Sequence, residues 1–239
     1  MTIRPDFGTS AVIAPDLSGI VQAIHASARC AGSFADEETI RRALSALQRG
    51  PIHFHRDKVI ACEGEAADYI FVVVSGVVRS CKTYQNGSRG VVAFYLPGDL
   101  FGWDDAKCSL SIEAATDVMV LFLKRRALLS LAARDSRIGS YLLAQTTKEL
   151  GRTQQHSLLM GQCAKSRVAT FLTDLWTRLG KPASVDLPML HQDIADYLGL
   201  TIETLSRTIT SFEQSGMLKR QSYRKLVLRK PALLSQLID

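Results

Sequence analysis

Between Gly50 and Leu123 the apolar residues fall into short runs: Val59-Ile60, Tyr69 to Val74, Val77 to Tyr84, Val91 to Tyr95 and Val118 to Leu123. Breaks at Gly64, Gly76, Asn86-Gly87, Gly90, Pro97-Gly98-Asp99 and Gly102 separate them. Several short strands at close spacing with glycine turns predict a sandwich or barrel rather than a parallel α/β sheet. Asn86-Gly87 between two such runs is a hairpin signal. Ahead of this region, residues 1–34 lack periodicity and hold Pro5, Gly8, Pro15, Gly19 and Gly32, which reads as a loose arm. A short helix is expected at Ala35 to Gln48, with Asp36 as cap and Ile40, Leu44 and Leu47 at helical spacing.

After Lys124 the period changes. Ser136 to Met160 has no proline and two glycines, and Leu143, Thr146, Leu150, Thr153, Ser157 and Met160 recur at alternating steps of three and four. That is a coiled-coil seam with hydroxyls at half its positions. A helix of this length, about 37 Å at ~1.5 Å per residue, is longer than a small domain needs, so the seam reads as a homodimer interface. Ser166 to Leu179 then places Val168, Phe171, Leu172, Leu175 and Leu179 on one face, and Gly180-Lys181-Pro182 ends it.

Met189 to Gly216 reads as two helices about a tight turn. Ile194, Ala195 and Leu198 give the first helix an inward face, and Gly199 supplies the left-handed residue that the turn of a helix-turn-helix needs. Thr201 is placed to cap the second helix, in which Ile202, Leu205, Ile209 and Phe212 point inward. Glu203, Ser206, Arg207, Thr208 and Thr210 are left for the outer face. Arginine can donate two hydrogen bonds to guanine and glutamate can accept one from cytosine, so this face suits base readout. Glu203 and Arg207 stand at i and i+4 and can hold each other.

Charge sharpens this reading. Of 29 basic and 23 acidic residues, 11 basic and 7 acidic lie from Cys163 to Asp239, against 18 and 16 from Met1 to Gln162. Gly216 to Lys230 holds Lys219, Arg220, Arg224, Lys225, Arg229 and Lys230 with no acid, and Leu218, Leu226, Val227 and Leu228 make it a hairpin wing. A basic segment on a nearly neutral body points to a polyanion, here the phosphates of double-stranded DNA. Lys219, Arg220, Arg224 and Lys225, with Thr201, Thr204 and Thr208, are the expected backbone contacts; Glu203, Ser206 and Arg207 are the expected base contacts.

The composition, 46% hydrophobic and 22% charged, is that of a globular chain, and no apolar run approaches the ~18 residues of a membrane span. Five cysteines at irregular spacing argue against a disulfide framework, and no signal pattern opens the chain, so a cytoplasmic protein is expected. No P-loop, HExxH or nucleophile elbow occurs, so no enzyme is expected.

An all-β domain, a long helix and a C-terminal helix-turn-helix resemble the CRP/FNR superfamily of bacterial transcription regulators. The segment Asp193 to Arg207, with Ser215 to Leu218, carries the resemblance most specifically, and the family's E-x-x-S-R triplet falls on Glu203, Ser206 and Arg207. Ile202 stands where the cyclic-AMP receptor branch has arginine, so the form looks like the FNR and FixK branch with its TTGAT-type palindromes. The resemblance implies an α+β fold: residues 35–130 as a β-barrel or jelly roll like a cyclic-nucleotide-binding domain, 131–162 as a dimerisation helix, and 163–239 as a winged helix-turn-helix.

The family's cyclic-nucleotide pocket needs an Arg-Ser pair after Gly98-Asp99-Leu100-Phe101-Gly102, and none follows before Leu123. An oxygen-labile iron–sulfur cluster needs a close-set N-terminal cysteine group and a late strand cysteine; only Cys30 lies N-terminal and Leu121 holds the late position. His53 and His55 flank Phe54 and would share a strand face, but surface histidines are the ordinary reading. Neither a metal nor any cofactor is expected. Cys81, Cys108 and Cys163 read as small apolar residues, and Cys163, near Lys165 and Arg167, is also the one candidate redox thiol. The resemblance thus narrows to the FixK type, an activator of microaerobic-respiration and nitrogen-fixation genes that touches RNA polymerase, with the hairpin Tyr84 to Gly90 as the candidate contact. A ligand-, haem- or redox-gated regulator with another regulon is the alternative.

Overall fold

The computed structural model describes residues 48–104 and 106–237. The expected arm, Cys30 and all but the last residue of the expected helix at Ala35 to Gln48 lie outside them. Gln48 itself opens a strand.

Eight strands form two antiparallel four-stranded sheets. They are β1 (Gln48–Phe54), β2 (Val59–Ala61), β3 (Tyr69–Ser75), β4 (Val78–Thr83), β5 (Arg89–Tyr95), β6 (Leu100–Phe101), β7 (Ser111–Ala114) and β8 (Val118–Lys124). One sheet runs β1-β8-β3-β6 and the other β2-β7-β4-β5. Phe71, Val73, Val118, Val120 and Phe122 face Val78, Tyr95 and Ile112 between the sheets. The alternate residues of the same strands, Ile70, Val72, Leu121 and Leu123, pack on Leu128, Ile138 and Leu142 outside. Both faces of β3 and β8 are therefore buried, which is why these strands read as unbroken apolar runs. At the Asn86-Gly87 turn, Gly87 takes φ 78° and the Asn86 carboxamide accepts the Ser88 N–H, joining β4 to β5 as a hairpin.

Two helices follow, α1 (Arg125–Arg134) and α2 (Ser136–Leu159). Asp135 caps α2, its carboxylate accepting the Arg137 N–H. At 24 residues α2 is about 36 Å long. Then come α3 (Ala164–Arg178), β9 (Val185–Asp186), α4 (His191–Leu198), α5 (Ile202–Gln214), β10 (Leu218–Arg220), β11 (Lys225–Leu228) and α6 (Pro231–Ser235).

The wing holds a strand that the sequence pattern did not signal. β9, from ahead of α4, adds to the β10–β11 hairpin, and the Leu187 N–H donates to the Arg224 carbonyl at 2.7 Å. Two residues are too few to show a period.

The second sheet is not open to water either. Val77, Cys81, Val91, Phe94 and Leu96 on its outer side share one continuous core with Phe171, Leu172, Ile194 and Leu205 of the C-terminal helices. Arg79 of β4 is buried within this junction and donates to Asp193 of α4 (2.7 Å), Asp57 (2.7 Å) and Glu113 (2.9 Å). Burial alone would lower the Arg79 pKa, and Asp193 and Glu113 drive it upward instead. A second junction forms at Asp99, where the expected Gly-Asp turn lies. Its buried carboxylate accepts from the Leu96 N–H, from Arg152 of α2 at 2.7 Å and from Arg178 of α3. Burial would raise its pKa, but Arg178 and Arg152 outweigh it and hold the carboxyl below its usual range.

Candidate nucleic-acid interface

Helix α4 buries Ile194, Ala195 and Leu198 and ends at Gly199, which is left-handed with φ 60° and ψ 39°. A Cβ at Gly199 would stand 3.3 Å from the Arg167 guanidinium and 3.6 Å from the Met160 sulfur, so space and backbone both favour glycine. Thr201 caps α5, its hydroxyl accepting the Thr204 N–H at 3.2 Å. Helix α5 then buries Leu205, Thr208, Ile209 and Phe212 and leaves Glu203, Ser206 and Arg207 exposed.

Thr208 is a correction: it was expected to face phosphate, yet it is buried and its hydroxyl donates to the Thr204 carbonyl at 2.8 Å. Its place three after Leu205 and four before Phe212 puts it on the inward stripe. Glu203 is held below its usual pKa, first by its own backbone N–H at the helix start, then by the Thr201 hydroxyl and by Arg207. Arg207 reaches the Glu203 main-chain carbonyl at 3.4 Å rather than its carboxylate, leaving the remaining guanidinium donors outward.

The three exposed residues share a cleft of about 400 Å³ with His191, Arg220 and Tyr223. Arg220, expected on phosphate, is already engaged. It donates to the Thr210 hydroxyl at 3.0 Å, its main-chain N–H donates to Glu213 at 2.9 Å, and its Nε stands 3.6 Å from the Glu213 carboxylate. It therefore braces the wing against α5. Lys219 and Lys225 are exposed and Arg224 is half-buried. Sequence reasoning overlooked His191 and Tyr223, whose rings lie 4.2 Å apart. Burial, then the charges of Arg220 and Arg224, push the His191 pKa down. The signal available was one aromatic, Tyr223, inside a basic run.

On α2, Leu143 and Leu150 are 68% and 58% exposed, and Thr153 and Ser157 are exposed with them. Thr146 is half-buried. The hydroxyls of Thr146 and Thr153 donate back to the Leu142 and Glu149 carbonyls, so their methyls are left for the seam. Met160 is the second correction: it packs partly buried on the C-terminal core instead of continuing the seam. The helix ends at Leu159, and the turn beyond redirects the chain. Leu158, 75% exposed, lies nearby.

A cavity of about 360 Å³ opens between the sandwich, α2 and the C-terminal helices, lined in part by Tyr95, Trp103, Glu149, Arg152, Arg178 and Tyr197. Its two guanidiniums are already bound to Asp99, so these residues do not fit an added cyclic phosphate. Cys81 and Cys108 are buried, whereas Cys62 and Cys163 are exposed, which corrects the apolar reading of Cys163. Cys163 occupies the N-cap position of α3, and its Sγ stands 3.2 Å from the Ser166 hydroxyl. That hydroxyl, the Ser166 N–H and Lys165 lower its thiol pKa.

The profile of the cyclic nucleotide-binding domain matches residues 51–135, and that of the Crp-like helix-turn-helix domain matches residues 166–237. The chain is 40% identical over 213 residues to the nitrogen fixation regulation protein FixK of Azorhizobium caulinodans, covering 86% of both chains. It is 37% identical to the protein of that name from Rhizobium meliloti, over 75% of this chain and 83% of that one. The solved structure of FixK2 from Bradyrhizobium japonicum is similar with a TM-score of 0.76 at 39% identity, over 79% of this chain and 96% of that one. The shared fold, the two matched domains and the length of these alignments place the chain in the CRP/FNR superfamily of transcription regulators, in its FixK-type branch.

Proposed function

We propose that two copies pair along the exposed seam of α2 and set their α5 helices into successive major grooves of a TTGAT-type palindrome, about 34 Å apart. The observation that carries this reading is the exposure of Glu203, Ser206 and Arg207 together on a capped helix, in one cleft with the Arg220 guanidinium. Arg207 and Glu203 read base edges and Ser206 contacts a base or phosphate. Thr201, Thr204, Lys219, Arg224 and Lys225 position the duplex backbone, which makes affinity strongly salt-dependent. The relatives' names give regulation of nitrogen fixation; the role proposed for this chain is activation of nitrogen-fixation and microaerobic-respiration genes in the cytoplasm, with the exposed hairpin around Tyr84 meeting RNA polymerase.

The test is binding by aerobically purified protein, without added ligand, to a TTGAT-N4-ATCAA duplex and a scrambled control. Selective binding in air supports the reading. Binding only after a ligand or reductant is supplied overturns it in favour of a gated sensor. The exposed, pKa-lowered Cys163 favours one such gate, an oxidisable thiol. If that gate operates, peroxide weakens DNA binding by the native chain and not by Cys163→Ser.

A further inference from the structure

Away from the DNA-facing surface, one set of metal-ligating side chains converges among the described residues: His53, His55 and Asp117, all exposed, with ligand atoms within 4.8 Å of one another. Strand geometry brings them together. Alternation at the end of β1 and the residue after it leaves His53 and His55 exposed, while Phe54 between them stacks on Phe122. β1 and β8 pair antiparallel with His53 opposite Met119 and Phe54 opposite Val118. The next step of that register sets Asp117 across from His55.

His55 Nδ1 stands 3.5 Å from Asp117 Oδ1, and the two imidazoles meet edge-on with centroids 4.7 Å apart. Two ligands on a tetrahedral ion with bonds of ~2.0–2.1 Å lie roughly 3.3–3.5 Å from each other. The His55–Asp117 pair is already at that separation, and the His53 ligand atom lies within 4.8 Å of both.

The carboxylate is also held from behind. Asp117 Oδ1 accepts the Arg56 N–H at 3.0 Å, and the Asp117 carbonyl accepts the Thr116 hydroxyl at 2.9 Å. Gly76, at φ 79°, backs this turn so closely that a Cβ there would lie 2.2 Å from the Asp117 carbonyl oxygen. Such supporting contacts are what fix a ligand's direction in a metal site.

We propose that His53, His55 and Asp117 bind a borderline divalent transition-metal ion, of which Zn²⁺ and Co²⁺ are the probes, with water completing its coordination. Two imidazoles and one carboxylate favour such ions over Mg²⁺ and Ca²⁺, which take oxygen ligands. The ion would join edge strand β1 to β8, since His53 lies in β1, His55 directly follows it and Asp117 directly precedes β8. Binding therefore stabilises the β1 edge of the sandwich.

The experiment uses the full chain, free of any affinity tag and stripped with chelator. A Cys62→Ser/Cys163→Ser background removes the exposed thiols among the described residues as competing ligands. Co²⁺ is titrated by visible absorption, and Zn²⁺ by competition with a chromogenic chelator and by the thermal unfolding midpoint. The expected result is one ion per chain, no thiolate charge-transfer band, and a midpoint that rises with Zn²⁺. His55→Ala and Asp117→Asn each lower affinity at least about tenfold, because loss of a ligand costs more than loss of an outer contact. Unchanged affinity in both folded variants, or no saturable binding at micromolar Zn²⁺, overturns the proposal.

Discussion

Arg79 offers a direct measure of how firmly the DNA-binding part is seated on the sandwich. Its side chain and that of Asp193 are each 4% exposed and meet at 2.7 Å across 114 residues of sequence. Replacing Arg79 with Met leaves the buried Asp193 carboxylate, among the described residues, with only Arg89, at 3.8 Å, as a cation. Breaking a buried pair by removing one partner costs about 3–5 kcal/mol, because the surviving charge has lost its solvation. Glu113 keeps Arg89 at 2.7 Å and Asp57 is largely exposed, so neither adds much. Asp193→Asn is milder, about 1.5–3 kcal/mol, since Arg79 retains two carboxylates. The double variant Arg79→Met/Asp193→Leu recovers most of the loss, because an apolar pair of similar volume carries no buried charge.

The assay is urea unfolding followed by the two tryptophans separately. Trp103 packs on the sandwich side and Trp176 lies on α3, so Trp→Phe variants isolate each reporter. Native junctions couple the two transitions; Arg79→Met lowers both midpoints and separates them. A loss under about 1 kcal/mol for Arg79→Met, or a double variant as unstable as the sum of its singles, would refute the argument.

Three further outcomes follow. Arg207→Ala costs about 1–3 kcal/mol per half-site and relaxes specificity at its base pair, read by competition with single-base variants of the palindrome; equal weakening on every sequence would exclude base readout. Leu143→Asp/Leu150→Asp places like charges on the exposed seam, so sedimentation shows monomer and palindrome affinity collapses towards that of one half-site. His191 has a depressed pKa in the free protein, so its stability contribution is present above the unfolded value near 6.5 and is lost as pH falls through the folded pKa. A phosphate arriving in the cleft reverses the bias, so DNA binding takes up a proton and tightens as pH falls below neutrality, while His191→Gln flattens that dependence.

The helix-turn-helix was legible because its determinants are local. Gly199 must be left-handed, Thr201 caps from three residues away, and the inward stripe of α5 has one period. The same periodicity contained the answer for Thr208, whose hydroxyl suggested solvent although its position was inward. Met160 could not be placed by spacing, since the chain leaves α2 one residue before it. The partners of Arg79 and Asp99 lie up to 114 residues away, and no local pattern encodes such a meeting. Arg79 sits in a run that reads simply as strand, so the shared core behind it was invisible too. The cleft residue His191 carried no motif of its own.

The third strand of the wing has a mechanical consequence. The chain enters the reading motif through Val185–Asp186 and leaves it through Lys225–Leu226, and these two segments are hydrogen-bonded neighbours. The motif is a loop with its ends stapled, and Arg220 ties its middle to the same frame. Helix α5 cannot roll in a groove without carrying the wing, so the angle between them is a constant of the protein. Adjustment to a palindrome of altered spacing must then come from the short Met160–Cys163 joint between α2 and α3, the only stretch there that belongs to neither helix.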